Sequence, residues 1–475
     1  MNGEVASGRR PRPFWLACAL GGYAALAAVL PFPASAVAGA LPLGVAACWW
    51  LARDPHRWVA VFLCAAILLP PLPVALGDSG PHVSVLVACA GGVAGLAQSR
   101  RWSGRAAVPA RALLAVWLSM LLSLCAGALY SGPALALASL ARAMLFAITV
   151  YVFVYLTCGP GRETTASSFS LARLLFFAAV AAALAACVDF YYQLPAPAGF
   201  GPQFVWLTSG VYRRAQGFFY EASTLGNFCA FFLLMAVVAL TRGKGESPMG
   251  RLAALLGILA FGAALLLSYS RASIVNVGVA LTALFFLRRR KALSASVLLA
   301  LPFAVAASAA AVYFFLPDFA RLYWERAATS VVYFFHAADG VLSGRLATWD
   351  TLADFLARHP WHALIGVGYK TLPYSDFIGQ TVVGDNTYLT VLVEMGVLGL
   401  AALLWLHIAV LRAGYRAAHS RDARASFFGT WIFCFWCGQT VQMLSGDLLT
   451  YWRVLPLYFW ALAMAVAASD EPAVG

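Results

Sequence analysis

The sequence predicts an all-α, polytopic membrane protein: a bundle of about 12–14 transmembrane helices with a large, partly helical periplasmic loop. Three observations predict it. The chain of 475 residues is 62% hydrophobic and only 11% charged, whereas soluble domains carry roughly 25% charged residues. Its apolar residues gather in runs close to the ~20 residues that a helix needs to cross a hydrocarbon core. Its basic residues sit between those runs in short clusters that alternate from loop to loop, so the net charge of +13 reads as a topology signal and no nucleic-acid partner is expected.

Taken in order, residues 1–192 form an N-terminal block with runs at Phe14–Leu30, Ala34–Leu51, Trp58–Leu76, Val83–Ala97, Val108–Tyr130, Ala134–Cys158 and Leu171–Tyr192. Arg9, Arg10 and Arg12, an apolar run and then Ala34-Ser35-Ala36 also fit a cleavable signal peptide. The reading preferred is an uncleaved first helix; cleavage leaves the rest of the topology unchanged. A loop, 193–221, precedes a central block, 222–316, with runs at Ala222–Leu240, Leu252–Leu267, Ser273–Leu287 and Leu293–Leu316. A large loop, 317–385, leads to a C-terminal block, 386–475, with runs at Asn386–Leu411, Phe427–Leu444 and Leu448–Ala468.

Most of the 32 Lys and Arg, among them Arg53, Arg100, Arg111, Arg242, Arg288 and Arg416, fall on one set of alternate loops. The positive-inside tendency makes that set cytoplasmic. Both termini are then cytoplasmic in a bacterial inner membrane, and loops 193–221 and 317–385 are periplasmic. In the second loop Ser343 fits a helix N-cap, Leu346, Trp349, Leu352 and Leu356 follow at helical spacing, and Pro360 stops the run. That pattern reads as an amphipathic helix on the membrane surface, followed by a turn at Gly366-Val367-Gly368. The cysteines lie mainly inside apolar runs and read as small buried hydrophobes, Cys434 and Cys437 included.

The polar residues left outside define the candidate chemistry. Arg213 and Arg214 precede Glu221 at the edge of a run; Arg271 sits in a short turn between two runs; Arg345 and Trp349 share a helix face. Guanidinium groups grip phosphate bidentately and stay charged at physiological pH. An aromatic beside them can stack on a sugar ring or a guanidinium. Arginines gathered at the lipid boundary therefore suit a lipid-linked diphosphate, although each could instead anchor a helix at the headgroup level. Arg142 lies in the middle third of its run, where burial costs about 3 kcal/mol on insertion scales; it needs a function or a partner, and Asp189 is the structural choice. Glu221, His336, His359, His362, Asp376, Asp385 and Glu394 are the outside groups suited to acid–base work. Asp385 also fits a plain helix cap. His359-Pro360-Trp361-His362 lacks helical metal-ligand spacing, and no outside segment carries Asp-x-Asp, so neither metal nor cofactor is expected.

Together these pieces resemble the O-antigen ligase and polymerase superfamily of membrane glycosyltransferases. The resemblance runs from Arg213 to Leu404. It rests on Arg214-Ala215-Gln216-Gly217-Phe218-Phe219 with Glu221, Ser270-Arg271-Ala272-Ser273, Ser343-Gly344-Arg345 with Trp349, His359-Pro360, Gly366-Val367-Gly368, Asp385-Asn386-Thr387-Tyr388-Leu389, and Glu394-x-Gly396-x-x-Gly399. It implies an undecaprenyl-diphosphate-linked glycan as donor, and a glycan, a lipid A core or another hydroxyl as acceptor. On that basis Arg214, Arg271 and Arg345 would hold the diphosphate and Asp385 would take the acceptor's proton. Asn386 would orient the acid or the sugar, with Arg142, Glu221, Trp349 and Glu394 in support. Family ligases place a histidine immediately before the asparagine. Asp385 stands there in this chain, which tilts the resemblance toward polymerase-like or exopolysaccharide-type members. The rival reading is a lipid-linked oligosaccharide flippase; against it, transporters show two comparable halves, and this chain carries one large loop, late and on one side.

Overall fold

The structure is a computed structural model, and it describes residues 46–72, 82–288 and 345–469 apart from short breaks, with scattered positions between 313 and 328. The expected runs Phe14–Leu30 and most of Ala34–Leu51 and Leu293–Leu316 lie outside these residues. So do the signal-peptide reading, the Ser343 cap, His336 and Asp376.

Every expected run that falls on described residues coincides with a helix. In order these are α1 Arg57–Leu68, α2 Val83–Ala97, α3 Val108–Tyr130, α4 Pro133–Cys158, α5 Ser168–Tyr192, α6 Ala222–Leu240, α7 Arg251–Leu267 and α8 Arg271–Arg288. The large loop supplies α9 Arg345–Arg358 and α10 Pro360–Ile365, and the C-terminal block supplies α11 Thr387–Ala418, α12 Ala423–Gln442 and α13 Leu455–Ser469. Among the described residues, six helices are long and apolar enough to cross a membrane, and four more are apolar but shorter. The protein is an all-α polytopic membrane protein. Its outer faces agree: Leu118, Leu122, Leu137, Leu259, Phe286 and Leu398 are exposed, as suits a bundle whose solvent is lipid.

The helices depart from the expected runs where sequence chemistry demands it. α1 stops at Leu68, well short of Leu76, because Pro70 and Pro71 follow; proline lacks an amide hydrogen and pushes its predecessor out of helical geometry. α13 begins at Leu455, not Leu448, so residues 443–454 form an irregular segment built of short 3₁₀ turns. Asp447 caps the second turn by accepting from the Leu449 amide at 3.1 Å. The loop 193–221 is not featureless: β1 Phe204–Leu207 and β2 Gly210–Arg213 pair antiparallel, Phe204 opposite Arg213.

α6 lies at the centre, with 83% of its most apolar stretch buried, against 22% for α8. Aromatic side chains fill the core around it: Phe231 stacks on Trp431 with ring centroids 4.2 Å apart, and the Trp431 indole donates to the Phe231 carbonyl at 2.8 Å. A polar network binds four helices in this apolar setting. The Asn227 amide donates to Gln439 and Gln442 at 2.6 and 2.8 Å, the Asn276 amide donates to Gln442 at 2.8 Å, Gln442 donates to Ser273 at 3.2 Å, and the Tyr458 hydroxyl donates to Asn227. Without water to compete, such bonds fix which helix faces which.

α11 is broken at Gly396, whose φ of 69° only glycine adopts readily. The break frees the carbonyls of Val393 and Glu394, and the amides of Val367 and Gly368 bond them at 2.9 and 3.0 Å. The Gly366-Val367-Gly368 turn is thus locked against the broken helix. A Cβ at Gly396 would stand 2.3 Å from the Leu364 carbonyl oxygen, and one at Gly366 would stand 2.3 Å from that of Glu394. Gly396→Ala should therefore cost about 3 kcal/mol or more, adding backbone strain to a clash with rigid main chain. The expected result is a clear drop in the detergent-solubilised melting temperature; an unchanged melting curve would contradict this packing.

Candidate active site

At one end of the bundle, the starts of α6, α8, α9 and α11 and the 443–454 segment surround a cavity of about 490 Å³. Arg142, Arg214, Arg271, Arg345 and Lys370 line it together with the acids Glu221, Asp385, Glu394 and Asp447. All three arginines expected to hold a diphosphate share this cavity with Asp385.

Each is placed by local chemistry. Past β2, the Ala215 amide donates to the Leu267 carbonyl at 2.9 Å, and Arg214 Nε donates to the Ser268 carbonyl at 2.8 Å. The open C-terminus of α7 thereby orients the guanidinium. The buried Gln216 amide holds the carbonyls of Gly201 and Tyr220 at 3.0 and 2.7 Å, which bends the chain toward Glu221. Gly217, at φ 52°, lies so close to α5 that a Cβ would meet that of Ala186 at 2.8 Å. These bonds explain why Arg214 through Glu221 reads as one motif.

Arg271 and Arg345 are the first residues of α8 and α9. A helix N-terminus carries partial positive charge and disfavours a cation there, so two arginines at two such ends concentrate positive potential around the cavity and suit an anion. Arg345 lies near enough to Arg214 and to Arg271 for like-charge repulsion to register at both. Its Nε also pairs with Asp385 at 3.1 Å.

Lys370 follows the glycine turn. Its ammonium pairs with Asp447, and its carbonyl accepts from Arg142 Nη1 at 3.2 Å. The Arg142 guanidinium lies over the Tyr374 ring, 4.6 Å from its centroid. Burial alone would lower the Lys370 pKa, but Asp447 and then Glu394 outweigh it, and the net shift is upward. Among the described residues, four non-glycine residues take left-handed backbone: Gln193, Tyr220, Tyr269 and Lys370. Two of them line the cavity and Tyr220 adjoins Glu221, which does; strain of this kind gathers where a site must be held in one geometry.

Glu221 stands at the N-cap position of α6 and accepts from the Thr224 hydroxyl at 2.6 Å. Burial pushes its carboxyl above the ordinary value, and Asp447 adds to this; the Thr224 hydrogen bond, Arg214 and Lys370 oppose it. Glu394 lies on the cavity lining, almost wholly buried.

Two expected site residues are not on the lining. Asn386 caps α11, its side-chain oxygen accepting from the amides of Tyr388 and Leu389 at 3.0 and 3.2 Å. Trp349 keeps a buried indole N–H with no hydrogen-bond partner among the described residues. The Arg142–Asp189 pairing is not seen: Asp189 binds Arg213 at 3.3 Å and the Gly217 amide at 3.3 Å. Lys370, Asp447 and Tyr451 went unread in the sequence. Lys370 carried the same signal as Arg271, a positive charge on the side that topology disfavours. Asp447 hid in the gap between two apolar runs.

The family model described as O-antigen ligase matches residues 252–404. No curated protein matches the chain. The matched stretch supplies Arg271, Arg345, Lys370, Asp385 and Glu394 to the cavity, while Arg142, Arg214, Glu221 and Asp447 come from outside it. The match supports the O-antigen ligase/polymerase superfamily over residues 252–404, and the general activity of that family is glycosyl transfer from a lipid-linked donor to an acceptor.

Proposed function

We propose that the protein transfers or polymerises glycan from an undecaprenyl-diphosphate carrier onto an acceptor hydroxyl at the periplasmic face of a bacterial inner membrane, in lipopolysaccharide or exopolysaccharide synthesis. The observation that carries this reading is the convergence of Arg214, Arg271 and Arg345 on one cavity. Three guanidiniums, two of them at helix N-termini, suit a diphosphate in the ground state, and they suit it better as charge builds on the departing oxygen; such preorganised charge is worth several kcal/mol. Arg242, Arg251, Arg288 and Arg416 lie at the opposite helix ends. With the positive-inside tendency, that placement supports a cavity on the periplasmic side and cytoplasmic termini.

In this reading the acceptor oxygen attacks the anomeric carbon while the bond to the diphosphate breaks, and a cavity carboxylate takes the hydroxyl proton. Asp385 and Glu221 both border the cavity; Asp385 also steadies Arg345 through their ion pair. Asn386 contributes by fixing the start of α11 beside Asp385. The guanidiniums supply the positive charge, so transfer is metal-independent and survives a chelator. The departure from the family ligases at Asp385 favours polymerisation over ligation.

The purified protein in lipid nanodiscs, given a donor with one labelled repeat, should lengthen glycan and release lipid diphosphate in equal amount. Movement of labelled lipid across vesicles with no bond change would overturn the reading in favour of a flippase.

A further inference from the structure

A second cavity, of about 120 Å³, adjoins the first and shares Glu221, Thr450, Tyr451 and Trp452 with it. Phe200, Phe219, His82 and Arg453 also line it. Phe200 and Trp452 line it with aromatic carbon, on which the axial hydrogens of a pyranose can stack. Its polar groups are held rigidly. Both Arg453 terminal nitrogens are committed, donating to the carbonyls of Phe218, Ala66 and Leu69, and the guanidinium lies over the Phe219 ring, 4.9 Å from its centroid. Arg453 is 6% exposed, yet its Nε–H has no partner among the described residues. A buried donor left unbonded costs stability unless something reaches it. His82 is bonded through both ring nitrogens, to Ser84 at 2.7 Å and to the Leu69 carbonyl at 2.8 Å. Burial, with Arg453 beside it, holds its pKa down to about 4, so it stays neutral at physiological pH.

Resting on the glycosyl-transfer reading above, we infer that the second cavity is the acceptor subsite, which takes a sugar ring of the acceptor glycan, and that Glu221, on the wall between the two cavities, is the base for the attacking hydroxyl. Glu221 borders both cavities, whereas Asp385 borders only the first and is tied to Arg345. In the step, the acceptor oxygen forms a bond to the anomeric carbon as the bond from that carbon to the diphosphate oxygen breaks. The electron pair of the broken bond leaves on the diphosphate, beside Arg214, Arg271 and Arg345, and the hydroxyl proton passes to Glu221, which later returns it to water. Thr224, Asp447, Arg214, Lys370 and Tyr451 face Glu221 from the elements around it. Their net effect, with burial, is a stronger base than an ordinary carboxylate.

The test uses the full-length protein in nanodiscs, an undecaprenyl-diphosphate-linked repeat as donor, and separate kinetics in donor and acceptor. Glu221→Gln should lower kcat about 100-fold or more and leave the affinity for undecaprenyl diphosphate unchanged. The wild-type rate should fall with acid along a limb displaced above the usual carboxylate range, since the base must be ionised. Phe200→Ala, on the wall of the second cavity and not of the first, should raise KM for the acceptor at least tenfold with donor KM little altered. The base assignment is overturned if Glu221→Gln keeps its rate, or if it loses lipid-diphosphate binding along with rate. The subsite assignment is overturned if Phe200→Ala shifts donor KM instead, or leaves both KM values unchanged. Absence of any transfer by the wild type would sink the glycosyl-transfer reading itself, a separate result.

Discussion

Arg271→Ala is expected to cut glycan transfer by about 10²–10³-fold without lowering the amount of protein in the membrane. The rate effect follows from position. Arg271 shares the cavity with Arg214 and Arg345, and a guanidinium aimed at the departing diphosphate contributes most when charge on it is greatest. Loss of one preorganised donor of this kind costs about 3–4 kcal/mol of transition-state stabilisation. The absence of a folding penalty follows from the same position. Arg271 opens α8, where the helix macrodipole disfavours a cation, and it stands close enough to Arg345 to be repelled. Arg271→Lys should fall between, because an ammonium keeps the charge but not the bidentate fork. Release of lipid diphosphate by purified variants, scaled to folded protein, measures this; full activity in Arg271→Ala would remove the residue from the site.

Lys370→Met should be the most destabilising single change at the cavity. The Lys370–Asp447 pair is only 12% and 11% exposed at its side chains, and removing one partner leaves a buried charge uncompensated, a cost of about 3–5 kcal/mol. The double variant Lys370→Met with Asp447→Leu should recover much of the loss, because burying neither charge avoids most of the desolvation. Thermal unfolding in one detergent across the four proteins of that cycle reports the coupling. A single variant as stable as the wild type would mean that the pair contributes nothing.

The helices were legible because lipid imposes one solution on the backbone: an apolar run such as Val108–Tyr130 or Ala222–Leu240 must bond its own amides within its own segment. Their ends were legible only where proline or charge marks them, and the run expected over Leu448–Ala468 failed there. Asp447 and Arg453 flank a stretch as apolar as a span, and nothing local says that Arg453 is spent on three carbonyls of distant segments. The site divided in the same way. Arg214, Arg271, Arg345 and Asp385 could be picked out because the charge pattern of the loops leaves them as polar groups on the expected outer side, and the structure gathers them in one cavity. Lys370 is placed by contacts that no local pattern encodes, the wedging of Gly366–Gly368 against the break at Gly396 and against Gly127. Asn386 shows the reverse limit: the capping chemistry that sequence offered to Asp385 belongs to its neighbour.

In the proposed function, three guanidiniums at one end of this bundle hold a polyprenyl diphosphate. Electron cryo-microscopy of the protein in nanodiscs with undecaprenyl diphosphate tests it most directly. Diphosphate density is expected between Arg214, Arg271 and Arg345, with the lipid chain leaving between helices into the bilayer. Density for the diphosphate elsewhere on the bundle, with this cavity holding only water, would contradict it.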